Sequence, residues 1–294
     1  MSSLARRRPP RGTRARDIDN DCEWSYKNHM VNNERNRLST AAAALRDAYS
    51  RGPILPLRDA LGPDDAEAAY EIQAINTAHW IASGRVKVGH KVGLTSRAVQ
   101  AQLGVSQPDF GVLFEDMRID EGGSLPARVL LQPKVEGEIA VRFGTGLLER
   151  VPTPNTVRAA IDGVAPAIEV VDSRIADWKI TFADTVADNG SSAYFVTGDR
   201  FQPLDDLDLF SCGMVLELNG EVVSTGAGAA CLGNPLNGAT WLAQTLAARG
   251  TPIRAGDIVL TGALGPMVAL RAGDAVRVTI GGMGSVGFIC KGNS

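Results

Sequence analysis

The sequence predicts an α+β fold, and three observations predict it. Helix signals gather toward the front of the chain and strand-like runs mainly behind them, without the regular alternation of a parallel fold. Thirty-two glycines among 294 residues point to many turns and tight backbone approaches. Aromatic residues are only 5%, and hydrophobic residues at 44% against 21% charged are enough for a large core.

In chain order, residues 1–38 read as a disordered basic tail. Arg6 to Arg16 is basic and nearly free of apolar side chains, and Asp17 to Asn36 is polar and aperiodic. Met30 is an alternative start. Residues 39–105 form a helical amino-terminal cap region. Ser39 or Thr40 caps an Ala-rich helix to Tyr49, and Pro63-Asp64-Asp65 opens a second helix through Ile81. Val86 to Leu94 reads as a strand, and Ser96 caps a short helix ending at Gly104.

Residues 106–294 form a β-rich catalytic core. Gly111 to Phe143 is β-like, Asn155 to Asp162 a short helix, and Val164 to Val171 a buried strand. Asp184 to Ser192 reads as a loop. Asn219-Gly220 closes a hairpin, and Asn234-Pro235 starts a helix to about Arg249. Asp257 to Thr261, Ala275 to Ile280 and Ser285 to Ile289 complete the strands.

The bulk numbers exclude several classes. A net charge of -3 argues against a nucleic-acid partner, although the basic tail keeps that reading open for residues 1–38. No apolar run reaches the ~20 residues that span a bilayer. Cys22, Cys212, Cys231 and Cys290 are far apart and make no Cys-x-x-Cys pair, which favours free thiols in a reducing cytoplasm. His29, His79 and His90 are the only histidines, and they support no Ser-His-Asp triad. No Gly-x-Gly-x-x-Gly stands in a strand–helix context.

Three glutamates carry the chemistry. In the run from Gln132 to Val141, a strand period of two puts Glu136 and Glu138 on one face, with Val135, Ile139, Val141 and Phe143 on the other. Glu169 sits in an almost wholly apolar run. Buried carboxylates repel one another unless a cation joins them, and an all-oxygen shell suits a hard divalent ion such as Mg²⁺ or Mn²⁺. A solvated face for the first two and a salt bridge for Glu169 are the competing readings.

Five short motifs occur together and in order: Lys91-Val-Gly-Leu-Thr95, Gln107-Pro-Asp-Phe-Gly111, Gln132-Pro-Lys-Val-Glu-Gly-Glu138, Asp184-Thr-Val-Ala-Asp-Asn189, and the run Gly256 to Met267. With them the chain resembles the 2-keto-4-pentenoate (2-hydroxypenta-2,4-dienoate) hydratases of the fumarylacetoacetate hydrolase superfamily, over residues 40–290. The resemblance implies a mixed β-roll core and a homo-oligomer that can associate with a downstream aldolase. It also implies a divalent metal, Mg²⁺ or Mn²⁺, on Glu136, Glu138 and Glu169. The implied reaction adds water to a small 2-hydroxy-dienoate to give a 4-hydroxy-2-oxo acid, in meta-cleavage catabolism of aromatic compounds.

On the same basis Lys91, with a pKa depressed by a dry pocket and a metal, and Asp109 are the catalytic residues. Ser191, a better positional match than Ser192, and Thr261 bind substrate. The shortage of histidine disfavours the carbon–carbon bond hydrolases of the superfamily, which use a His-Glu pair. Two alternatives stand beside the hydratase: a 2-oxo-3-hexenedioate (4-oxalocrotonate) decarboxylase, and a non-catalytic partner that stabilises a sibling enzyme.

Overall fold

The computed structural model describes residues 18–97, 100–101, 105–205 and 207–292, the side chains of 18–31 excepted. The chain divides into two units, 1–37 and a compact body over 38–294. Residues 1–17 of the expected tail lie outside the described residues. From Ile18 onward that expectation is corrected: the backbone is helical, and α1 runs Ile18–Arg51. Ser39 and Thr40 therefore lie inside a helix and do not cap one. The physical reason is that no Pro or Gly interrupts Ile18 to Arg51, while apolar periodicity marks only the later part. There Leu38, Ala41, Ala42, Leu45 and Ala48 share one buried stripe.

Helix α2 (Ala66–Ala82) starts where the acidic cluster placed it, with the Asp65 side chain accepting from the Ala68 amide. The helix expected from Ser96 to Gly104 falls partly outside the described residues.

Among the described residues twelve strands follow: β1 (Lys87–Gly93), β2 (Asp109–Phe114), β3 (Ser124–Pro126), β4 (Lys134–Phe143), β5 (Ile161–Val171), β6 (Ser192–Thr197), β7 (Gly213–Leu218), β8 (Glu221–Ala227), β9 (Ile258–Leu260), β10 (Val268–Ala269), β11 (Ala275–Ile280) and β12 (Gly284–Lys291). Helices α3 (Pro154–Ala160), α4 (Phe182–Ala187) and α5 (Pro235–Ala248) connect them. The expected loop from Asp184 is thus α4 followed by a tight turn. Thr181 caps that helix by accepting from the Asp184 amide, and its hydroxyl donates to the Asp184 carboxylate.

One sheet runs β2-β1-β9-β4-β5-β6, with β10 on β4; the other runs β3-β12-β11-β7-β8. β1, inside the span assigned to the helical cap, is an integral strand of the first sheet, so no boundary near residue 105 separates cap from core. The first sheet curls until its ends meet: the Ile119 amide donates to the Phe195 carbonyl at 2.8 Å, beside an Arg118–Phe195 bridge. Leu113, Ala140, Ala167, Phe195 and Leu260, on the same face of the sheet as Lys91 and Glu138, fill part of the roll's interior.

The second sheet packs on the outer face of β4. A Cβ on Gly137 would lie 2.9 Å from Met214 Sδ and 3.2 Å from Val278 Cγ1. This is the close approach that a bare residue between Glu136 and Glu138 permits. The Asn219-Gly220 turn has φ of 57° and 84°, as a primed hairpin turn requires. Among the described residues no helix is long and apolar enough to cross a membrane.

Candidate active site

Strand pairing sets the acid cluster. Glu136 on β4 stands directly opposite Glu169 on β5, and Glu138 follows two residues along the same face. One carboxylate oxygen from each of the three lies within 4.8 Å of the others. Glu138 and Glu169 are fully buried and Glu136 half-buried. Gly262 donates its amide to Glu138 Oε2 at 2.8 Å, while Glu138 Oε1 and both oxygens of Glu169 accept no hydrogen bond. Buried carboxylate oxygens without donors are costly. An all-oxygen set aimed into one space therefore fits a hard divalent cation. The solvated-face reading fails for the fully buried Glu138, while the salt-bridge reading of Glu169 does find a partner in Lys91.

The electrostatics follow from the crowding. Burial first, then Glu169, pushes Glu136 up to about 7. Burial, Glu169 and Glu136 hold Glu138 well above the usual carboxylate range.

Lys91 reaches the same space from β1. Its Nζ lies 3.3 Å from Glu169 Oε2, and both side chains are buried. The expectation of a depressed lysine is corrected here. Burial alone would lower it, but Glu169, Asp109, Glu136 and Glu138 together outweigh burial and hold the ammonium above its usual value. The expectation weighed the dry pocket and a metal, not the four carboxylates that face the amine.

Asp109, opposite Gly93 across β1 and β2, is buried with its Oδ1 free of hydrogen bonds. Burial raises its pKa, Lys91 opposes this and Glu169 adds to it. A Cβ on Gly93 would lie 2.2 Å from Asp109 Oδ1 and 3.1 Å from Lys91 Nζ, so Gly93 is the gap through which the two side chains share space. Gly190 lies beneath Lys91: a Cβ there would meet Lys91 Cε at 2.9 Å. His90 points the other way, edge-on to Phe110.

Ser191 is buried in the turn after α4, its Oγ 3.4 Å from Asp188 Oδ2 and 3.5 Å from Thr185 Oγ1. Asn189, Gly190 and Ser191 have φ of 56°, 61° and 55°, a left-handed run that costs energy at the two non-glycine positions. Side chains hold it in place. Asn189 pairs with both backbone groups of Val112. Arg174, fully buried, ion-pairs with Asp188 and donates to the carbonyls of Asp172, Asp188 and Ser192. Sequence reasoning missed Arg174 and Gly93; the pairing of Arg174 with Asp188 has no local signal at all. Thr261 is fully buried, and its hydroxyl donates to the Ile139 carbonyl at 3.0 Å. It is the next residue's amide that touches the acid cluster.

Residues 83–288 match the family model described as fumarylacetoacetate (FAA) hydrolase C-terminal. The chain is 53% identical over 247 residues to 2-keto-4-pentenoate hydratase 2 of Dechloromonas aromatica (strain RCB), covering 84% of this chain and 94% of that one. It is 52% identical to 2-keto-4-pentenoate hydratase of Paraburkholderia xenovorans (strain LB400), covering 84% and 92%. Among solved structures, 4-oxalocrotonate decarboxylase from Pseudomonas putida G7, complexed with magnesium and adipate, is similar with a TM-score of 0.83 at 38% identity, over 87% of this chain and 98% of that one.

Proposed function

The chain belongs to the fumarylacetoacetate hydrolase family, and from that premise we propose a divalent-metal-dependent hydratase acting on 2-hydroxypenta-2,4-dienoate or a close homologue. The similarity to hydratases at 52–53% identity supports the reaction class. The observation that carries the chemistry is the set of three converging glutamates whose buried oxygens include several with no donor. Glu136, Glu138 and Glu169 would hold the ion, with magnesium or manganese as the fitting choices. Bound there, the ion supplies Lewis acidity toward the substrate's carboxylate and C2 oxygen.

The proton transfers fall to the chain's own groups. A proton leaves the 2-hydroxyl and one is delivered to C5, giving the 2-oxo-3-enoate. Water then adds its oxygen to C4 and a proton to C3, giving the 4-hydroxy-2-oxo acid. Lys91 carries a proton at Nζ within the acid cluster. Asp109, with Oδ1 unpaired and Lys91 beside it, is the carboxylate able to accept one. Ser191 and the amides of its turn are assigned to the substrate carboxylate; Thr261 is assigned to shaping the opposite wall.

A homo-oligomer and association with a downstream aldolase belong to the same reading, and sedimentation with and without the aldolase tests both. The reaction itself is tested by giving the purified protein each substrate with Mg²⁺. Loss of dienoate absorbance with 4-hydroxy-2-oxopentanoate formation is expected. CO₂ release from 2-oxo-3-hexenedioate, with no hydration, would transfer the chain to the decarboxylases. No metal binding and no turnover would favour a stabilising partner.

A further inference from the structure

Cys231 has no part in the chemistry above, yet it is fully buried behind the acid cluster. Its Sγ lies 2.9 Å from the Thr261 carbonyl oxygen, so the thiol donates to that carbonyl. The same peptide group, on its other side, donates the Gly262 amide to Glu138 Oε2 at 2.8 Å. One peptide unit therefore joins a buried thiol to a carboxylate whose second oxygen, Oε1, is buried and accepts no hydrogen bond. Hydrogen bonds in series polarise one another, so a donor at the carbonyl strengthens the amide as a donor.

The backbone alone does not select this peptide's orientation. Gly262 has φ +115°, in a region where glycine is at ease with more than one arrangement. Turned over, the peptide would present its carbonyl to Glu138 and break the thiol's contact with the Thr261 carbonyl. Thr95 reinforces the arrangement. Its carbonyl accepts from the Leu232 amide at 3.0 Å, and a Cβ on Gly262 would lie 2.4 Å from its Oγ1. Burial first, with Glu138 adding, pushes the Cys231 thiol up to about 12, so it keeps the proton it donates.

We propose that Cys231 is a positioning residue: through the Thr261–Gly262 peptide it fixes Glu138 Oε2 and so aims Oε1 into the cation site. The inference rests on the metal-site reading of the three glutamates, and it adds a group that touches neither metal nor substrate. The hydroxyl of serine can make the same donation, whereas alanine and valine cannot. Valine fills the space and so separates donation from packing.

The test compares wild type with Cys231→Ser, Cys231→Val and Cys231→Ala. Mn²⁺ affinity is measured by titration calorimetry, melting temperature without metal by scanning calorimetry, and the Gly262 amide proton shift by NMR on glycine-labelled, metal-free protein. In Cys231→Val the expected results are Mn²⁺ binding weaker by about tenfold or more, as when a ligand's hydrogen-bond partner is removed, and an upfield move of the Gly262 amide. Cys231→Ser is expected to stay near wild type in both. Wild-type-like affinity and an unmoved amide in Cys231→Val would overturn the proposal. So would equal losses in the serine and valine variants that track a fall in melting temperature. If wild type bound no Mn²⁺, the metal-site reading would fail, and the Gly262 shift would still decide whether the thiol controls the peptide.

Discussion

Lys91 Nζ lies 3.3 Å from Glu169 Oε2, although β9 and β4 stand between their two strands in the sheet. Only the curl of the sheet brings them together. The pair gives the cluster a buried cation, and three further carboxylates lean on the same charge.

Replacing Lys91 with Met keeps the length and removes the charge. Breaking a buried pair leaves an uncompensated carboxylate, at about 3–5 kcal/mol. The expected outcome is a lower melting temperature without metal, a larger stabilisation by Mg²⁺ than wild type shows, and hydratase turnover reduced by about a hundredfold or more, the scale of a lost acid–base group. Calorimetry with and without Mg²⁺, beside steady-state kinetics, checks all three. Unchanged turnover would remove Lys91 from the reaction.

Glu138→Gln keeps the acceptor for the Gly262 amide and removes a negative charge from the cluster. Metal affinity is expected to fall by roughly 10–100-fold, with the circular dichroism spectrum unchanged. The metal-free variant is expected to melt higher than metal-free wild type, because one buried like charge is gone. Turnover that is equal with and without a chelator would count against the metal site.

The metal-free protein should have a characteristic pH profile. Glu136 is pushed up to about 7 from an ordinary glutamate value, and Glu138 is raised as well. A carboxyl with a raised folded-state pKa favours folding while protonated, so its contribution is present at low pH and lost as pH rises through the folded value. Melting temperature without metal should therefore fall from about pH 4.5 to about pH 7, the window set by Glu136. Saturating Mg²⁺ should restore it most at the upper end. A flat metal-free profile over that range would show that burial and mutual repulsion do not raise these carboxyls.

Much of this site was legible because it is local. A period of two in Val135-Glu-Gly-Glu-Ile139 put two acids on one face, and an apolar run marked Glu169 as buried. Asp65, Asn219-Gly220 and Asn234 announced their caps and turn by residue type alone. What the sequence hid depends on closure of the roll. The sign of the Lys91 shift needed the acids across the barrel, and the Arg174–Asp188 pair is useful only because a left-handed turn must be held beside β5. The reach of α1 back to Ile18 was hidden for another reason: a polar helix without Gly or Pro has no apolar stripe to advertise it.

Gly93 provides a test of geometry with little change in chemistry. Its φ is not in the left-handed region, so alanine meets no backbone penalty there. The added methyl would lie 2.2 Å from Asp109 Oδ1 and 3.1 Å from Lys91 Nζ, and both side chains must move apart. Overpacking of this kind costs about 1–3 kcal/mol in stability, a modest fall in melting temperature. Turnover should fall far more than stability, because a displacement near 1 Å at reacting groups costs on the order of a hundredfold. Mn²⁺ affinity should change little, since neither Asp109 nor Lys91 is among the three proposed ligands. A Gly93→Ala protein that hydrates the dienoate at the wild-type rate would show that the close placement of Asp109 against Lys91 is not what the reaction uses.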